Sequence, residues 1–298
     1  LDAHRTDGGA PAVAALTSAN EAVFAPPPRL VRRLVLNEGA TRVMRASEEH
    51  KSDELWQGDA YDDAQPEGAP VPVYFRIGEP RVLVAELVCG CMAHRLGLPA
   101  PEVFVLSIPE GALHGSSRVP KGQGAVCVAT HDLGGETFGQ FLDANADAAV
   151  KLLRDWPDLG RVIAFDEWTA NIDRNLDNII YSLATLHIID HAEAFGGACQ
   201  EVLPLAQLAS LQLPNKLIGL LGALRAKSCH AILAELHTWL GETAACLDVH
   251  EVITHAQTRQ WQEPEKDGEL VDFLRQRLPI THALLCQQLG HPQLALKA

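Results

Sequence analysis

Three oxygen-bearing side chains in the stretch FDEWTANIDRNLDNIIYSLATLHIIDHAEAF, residues 165–195, have the types and spacing for phosphoryl chemistry. They are Asp173, Asn178 five residues on, and Asp190 a further twelve. The runs 178–182 and 186–189 are short, apolar and rich in β-branched residues, which predicts two strands. A tight ribbon of the two would bring Asn178 and Asp190 together, and paired hard oxygen ligands suit Mg²⁺ held between protein and phosphates. Asp173 precedes the first strand on a loop and is free to face the same place. There a carboxylate can orient an attacking hydroxyl and accept its proton. The same residues would also serve as turn formers in an acidic surface loop, and the local spacing alone leaves both readings open.

The pattern N-x-D-R-x-x-x-N followed by I-D-H, preceded by F-D-x-W-x-x-N, resembles the HipA-like kinases, a branch of the protein-kinase-like fold related to lipid kinases. The resemblance spans roughly residues 30–195. It implies an α+β, two-lobed protein-kinase-like fold, with a small amino-terminal antiparallel sheet lobe and a larger, mostly helical carboxy-terminal lobe. It implies ATP and Mg²⁺ as cofactors and transfer of the γ-phosphoryl group to a hydroxyl, a Ser or Thr on a protein acceptor. On this resemblance Asp173 is the catalytic aspartate and Arg174 the arginine that follows it, grouped with the catalytic residues as a brace for the loop. Asn178 and Asp190 are the metal ligands. Asn175 departs from the histidine of the best-known members. Two other readings stay open: a lipid or small-molecule kinase on the same fold, and a pseudokinase or nucleotide-binding scaffold without turnover.

These residues need elements to position them. Residues 1–28, rich in Ala, Gly and Pro, read as a poorly ordered leader or linker. Residues 29–131 read as the sheet-bearing amino-terminal unit with one helix, and 132–298 as a helical unit carrying the catalytic loop at 171–195. The runs LVRRLVLN and TRVMRAS predict a hairpin around Glu38-Gly39-Ala40, which in a kinase-like fold would lay Gly39 over the nucleotide phosphates. Residues 48–70 are charged and read as a loop. VPVYFRI (71–77) alternates Val73 and Phe75 against Tyr74 and Arg76, a strand. A helix over 81–96 ends at Gly97 and Pro99. The resemblance puts Arg76 in the place of the family's phosphate-contacting lysine and Glu86 as its ion-pair partner. The strand GAVCVAT would run into a hinge whose backbone from Ala129 through His131 to Asp132 meets the adenine. Gly196-Gly197 would open a short, flexible activation segment.

Composition narrows the classes. The net charge of −14 offers no basic stripe for nucleic acid, so direct nucleic-acid contact is not expected. No apolar run approaches the length of a membrane span. Seven scattered cysteines, without metal-ligand spacing, read as reduced thiols of a cytoplasmic protein. His250 and His255 are five apart and do not share a helix face as zinc-protease ligands do. The expected partners are therefore ATP and an acceptor, protein or small molecule, that the sequence does not name.

Overall fold

The computed structural model describes residues 31–37, 39–43, 54–219 and 229–290. The expected leader lies outside these residues. In chain order the strands are β1 (Arg33–Leu36), β2 (Thr41–Arg42), β3 (Glu54–Asp62), β4 (Val71–Ile77), β5 (Val103–Ile108), β6 (Ala125–His131), β7 (Glu136–Thr137), β8 (Ile179–Ser182) and β9 (Thr185–Ile188). The helices are α1 (Pro80–Arg95), α2 (Phe138–Ala144), α3 (Ala146–Asp155), α4 (Leu159–Trp168), α5 (Leu205–Leu208), α6 (Cys229–Glu242), α7 (Val249–His255) and α8 (Pro264–Gln288). The mixture is α+β.

β1, β5, β6, β4 and β3 pair in that order, and β3 pairs back to β1, so the five strands close into a barrel. Two expectations change here. β1 and β2 do not form a hairpin with each other: both pair with β3, and β1 also pairs with β5 in parallel, so the sheet is not wholly antiparallel. The charged stretch at 48–70 contains β3, a nine-residue strand rather than a loop. Its charges hid it, yet the pattern is that of a barrel strand. Glu54, Trp56 and Ala60 point inward, with Leu34, Val73, Phe75, Phe104, Leu106, Cys127 and Ala129 from the neighbours. A barrel of this size is filled by its own side chains, and each large apolar one buried adds roughly 1.5–3 kcal/mol.

Glu54 is acceptable inside because its oxygens are fully used. They accept from Ser116 Oγ (2.6 Å), Ser117 N and Oγ (both 2.7 Å) and Trp56 Nε1 (3.2 Å). Burial pushes the carboxyl pKa up, but those donors outweigh it and hold the group down at about 2. The Ser116-Ser117 loop thereby caps one mouth of the barrel.

The outer face of the barrel carries α1. Its buried apolar residues, from Leu83 to Ala93, join Val103, Val105 and Val128 in one apolar cluster that continues into α4, α6, α7 and α8. Gly90 stands where an added Cβ would lie 2.3 Å from Val103 Cγ1, so helix and barrel approach more closely than any other residue allows. α8 runs 25 residues through Pro279. Gln257 ties this helical region to β1, donating to Val31 O (3.1 Å) and accepting from Arg33 Nε (3.1 Å). Of the helical unit expected at 132–298, residues 220–228 and 291–298 lie outside the described residues. Among the described residues no helix is long and apolar enough to cross a membrane.

Candidate functional site

A cavity of about 620 Å³ lies between the barrel wall and the β7–β8–β9 sheet. Tyr74 and Arg76 face it from β4, as the alternation predicts, while Val73 and Phe75 fill the barrel. Its floor is the open end of the β8–β9 hairpin. Ile179 stands opposite Ile188, so Asn178 and Asp190 fall next to each other, and Ile189 N donates to Asn178 O at 3.0 Å. Asn178 Nδ2 donates to the Asp173 carbonyl at 2.8 Å. That commits the amide nitrogen and leaves the amide oxygen as the atom able to turn to the cavity. Asp190 sits at φ 58°, in the left-handed region that Asp tolerates better than most residues. Backbone held there projects its carboxylate toward β4.

Arg76 meets that carboxylate: Nη2 lies 2.9 Å from Asp190 Oδ2 and Nε 3.6 Å from Glu86 Oε1. The ion pair with Glu86 is the one expected; the contact with Asp190 was not. Glu86 Oε2 also accepts from His191 N at 2.9 Å. Burial and the neighbouring Asp190 charge push Glu86 up to about 7, against the opposing pull of Arg76. A carboxyl whose pKa is raised on folding holds its proton longer folded than unfolded. The stability this confers is full below about pH 4.5 and is lost as pH rises through about 7. Glu86→Gln should therefore flatten the pH dependence of the urea midpoint across that window. An unchanged slope would mean that Glu86 is ionised throughout it.

Arg174 is fully buried and does not reach the cavity. Nε and Nη2 each lie 3.2 Å from an oxygen of Asp166, and Nη2 lies 2.9 Å from His191 Nδ1. Nη1 donates to the carbonyls of Ile189, Asn178 and Asp190. Grouped above with the catalytic residues, it ties α4 and the loop after it to the end of the hairpin. Burial raises the pKa of Asp166, which Arg174 opposes, and burial holds that of His191 well below its ordinary value. Since Arg174 can only donate, His191 Nδ1 accepts and the ring proton lies on Nε2.

Asp173 stands beside this assembly, one-third exposed, with its N–H donating to Asn171 Oδ1 (3.2 Å) and Lys216 Nζ on its Oδ1. Neither Gly39 nor Ala129 lines the cavity. Gly39 is exposed and takes a positive φ of 98°. Ala129 is interior to the barrel, opposite both Phe75 and Phe104. His131 does line the cavity, but its N–H donates to Glu102 O and that of Asp132 to Pro72 O, both at 2.9 Å. The wall beyond the strand is Leu133, Gly134 and Gly135. Gly135 sits at φ 89°, where a Cβ would come within 2.3 Å of Tyr181 O, so the turn closes only with glycine. Thr137 caps α2 with Gln140 and also donates to Asp177 Oδ1 at 3.1 Å.

Gly196 and Gly197 open no free segment. Both take positive φ in a packed turn, and the chain after it is held from α8. Arg277, fully buried, donates to Leu208 O (3.1 Å), Ala209 O (3.2 Å) and Leu211 O (2.8 Å), and pairs with Glu167 at 2.9 Å. Sequence reasoning used Asp166 only as part of the F-D-x-W-x-x-N pattern, without a role, and passed over Glu167 and Arg277. Two acids side by side after the apolar run Val162–Phe165 were the available signal, since such groups enter a core only when paired.

Residues 76–206 match the family model of the HipA-like kinases. Over these residues the chain is similar to the HipA-like kinases, the family whose resemblance was read from the sequence. The matched residues begin at Arg76 and contain Glu86, Asp173, Asn178 and Asp190. No curated protein matches the chain.

Proposed function

We propose that the protein is an ATP- and Mg²⁺-dependent phosphotransferase of two-lobed, kinase-like layout, with residues 29–131 and 132–298 as its units and 171–195 as its catalytic loop. The observation that carries this reading is the meeting of Asn178 and Asp190 at the cavity floor, with Asp173 hydrogen-bonded to Asn178 and Arg76 on the opposite wall. One carboxylate and one carboxamide oxygen beside the cavity are the hard donors that Mg²⁺ takes when phosphates complete its shell. Bound there, the ion would neutralise charge developing on the phosphoryl oxygens.

The remaining work belongs to the chain. Asp173 orients the acceptor hydroxyl and takes its proton as the oxygen bonds to the γ-phosphorus and the bond to the leaving diphosphate breaks. Arg76, steadied by Glu86, holds the phosphates. Arg174 keeps Asp173, Asn178 and Asp190 in register. Five carboxylates line the cavity (Glu86, Asp132, Glu136, Asp177 and Asp190), against Arg76 as the lining guanidinium. A triphosphate therefore has to enter with its metal. We take the acceptor to be a protein Ser or Thr, as the family resemblance implies, with a lipid or small molecule as the alternative. Buried, unpaired thiols such as Cys89 and Cys127 fit a reducing, cytoplasmic setting.

A second reading, a pseudokinase, is favoured by one contact: Arg76 already occupies an oxygen of Asp190. Calorimetry of ATP with and without Mg²⁺, on the wild type and on Asp190→Ala, separates the two. Metal-dependent binding that weakens at least about tenfold in the variant supports the phosphotransferase. Binding indifferent to both metal and mutation indicates the pseudokinase, and no binding at all rejects both.

A further inference from the structure

We propose that Lys216 is a further residue of the phosphoryl-transfer site, a cation that holds Asp173 and contacts the transferring phosphoryl group. This rests on the phosphotransferase reading. Lys216 lies outside the matched residues 76–206, and its Nζ makes an ion pair with Asp173 Oδ1.

The placement follows from buried contacts on either side. Asn215, 8% exposed, donates from Nδ2 to Ile163 O at 3.0 Å, fixing the preceding residue to α4. Leu217 is wholly buried and Ile218 nearly so. Upstream, Gln288 Nε2 donates to Leu213 O (3.3 Å) and Gln212 Nε2 to Leu284 O (3.2 Å), tying the segment to α8. The backbone under Lys216 is thus anchored, while its side chain is half exposed and reaches back to Asp173. A compact ammonium on a four-carbon stem can swing between a carboxylate and a phosphate, which a fixed guanidinium cannot.

Charge supplies the reason for a cation there. Asp173 and Asp190 are both anionic, and the phosphoryl group arriving between them adds more negative charge. Mg²⁺ and Arg76 act from the Asp190 side. On the Asp173 side Lys216 is the cation in contact, and without it the carboxylate would repel the group it must approach. An ion pair this exposed contributes little to folding, so the lysine can be altered without loss of the fold.

The test is calorimetry on the full chain with Mg²⁺ and either ADP or the non-hydrolysable β,γ-imido analogue of ATP, on wild type, K216A and K216M. Methionine keeps the aliphatic stem and removes the charge. If Lys216 contacts the γ-phosphoryl group, both variants lose about tenfold in affinity for the triphosphate and keep their affinity for the diphosphate. Equal loss for both nucleotides, or no loss for either, overturns the proposal while leaving the phosphotransferase reading intact. A wild type that binds neither nucleotide overturns both. Unchanged thermal midpoints in the variants exclude misfolding as the cause.

Discussion

Asp173→Asn is expected to slow phosphoryl transfer by about 10²–10⁴-fold with little change in nucleotide affinity. Asparagine is nearly isosteric, and two of the bonds that position residue 173 run through its backbone. Its N–H donates to Asn171 Oδ1, and its carbonyl accepts from Asn178 Nδ2. Both survive the substitution, so the loop and the Asn178–Asp190 pair keep their geometry. What disappears is the ability to accept a proton and the charge facing Lys216. Loss of the γ-phosphate from labelled Mg²⁺·ATP, measured under single-turnover conditions for both proteins, reads the effect without a known acceptor. A variant that turns over at the wild-type rate would remove Asp173 from the chemistry.

Arg277→Ala is expected to destabilise the fold by about 3–5 kcal/mol, the usual cost of removing one partner of a buried pair. The substitution leaves Glu167, itself nearly inaccessible, without its counter-charge. Burial already raises the pKa of Glu167, and Arg277 opposes that rise. It also strips a donor from each of the carbonyls of Leu208, Ala209 and Leu211. Urea unfolding should show a lower midpoint at unchanged slope. A loss below about 1 kcal/mol would mean that the α8 clamp carries no weight. Because the clamped segment leads into Asn215 and Lys216, the damage should extend to the candidate site.

Local spacing made the centre of the site legible. Asp173 and Asn178 lie within one loop, and a two-strand ribbon brings Asp190 beside Asn178 whatever the rest of the chain does. The stretch 81–96 was legible for the same reason: stripe, glycine and proline all act within a few turns. What escaped depended on partners far along the chain. β3 looked like a charged loop because the groups that satisfy Glu54 come from Ser116 and Ser117. The hairpin expected between β1 and β2 was displaced because β3 and β5 offered β1 better-buried pairing on both sides. Arg76 reaching Asp190, Lys216 reaching Asp173 and Arg277 reaching Glu167 carry no local signature. The apolar stripe of α8 showed a helix without showing which of its polar residues turn inward.

Closure of the barrel also bears on how the chain reaches its folded form. Leu34 stands opposite Asp62 on one side and Leu106 on the other, so the ring is complete only when β1 has found two strands well separated in sequence. Such pairing costs chain entropy before its contacts repay it, and it belongs among the slow steps of folding. Until it happens, β3 and β5 present unpaired backbone edges of the kind that recruit strands from other molecules. The short strand β1 is thus a guard against association during folding, a role distinct from anything it does for the finished cavity.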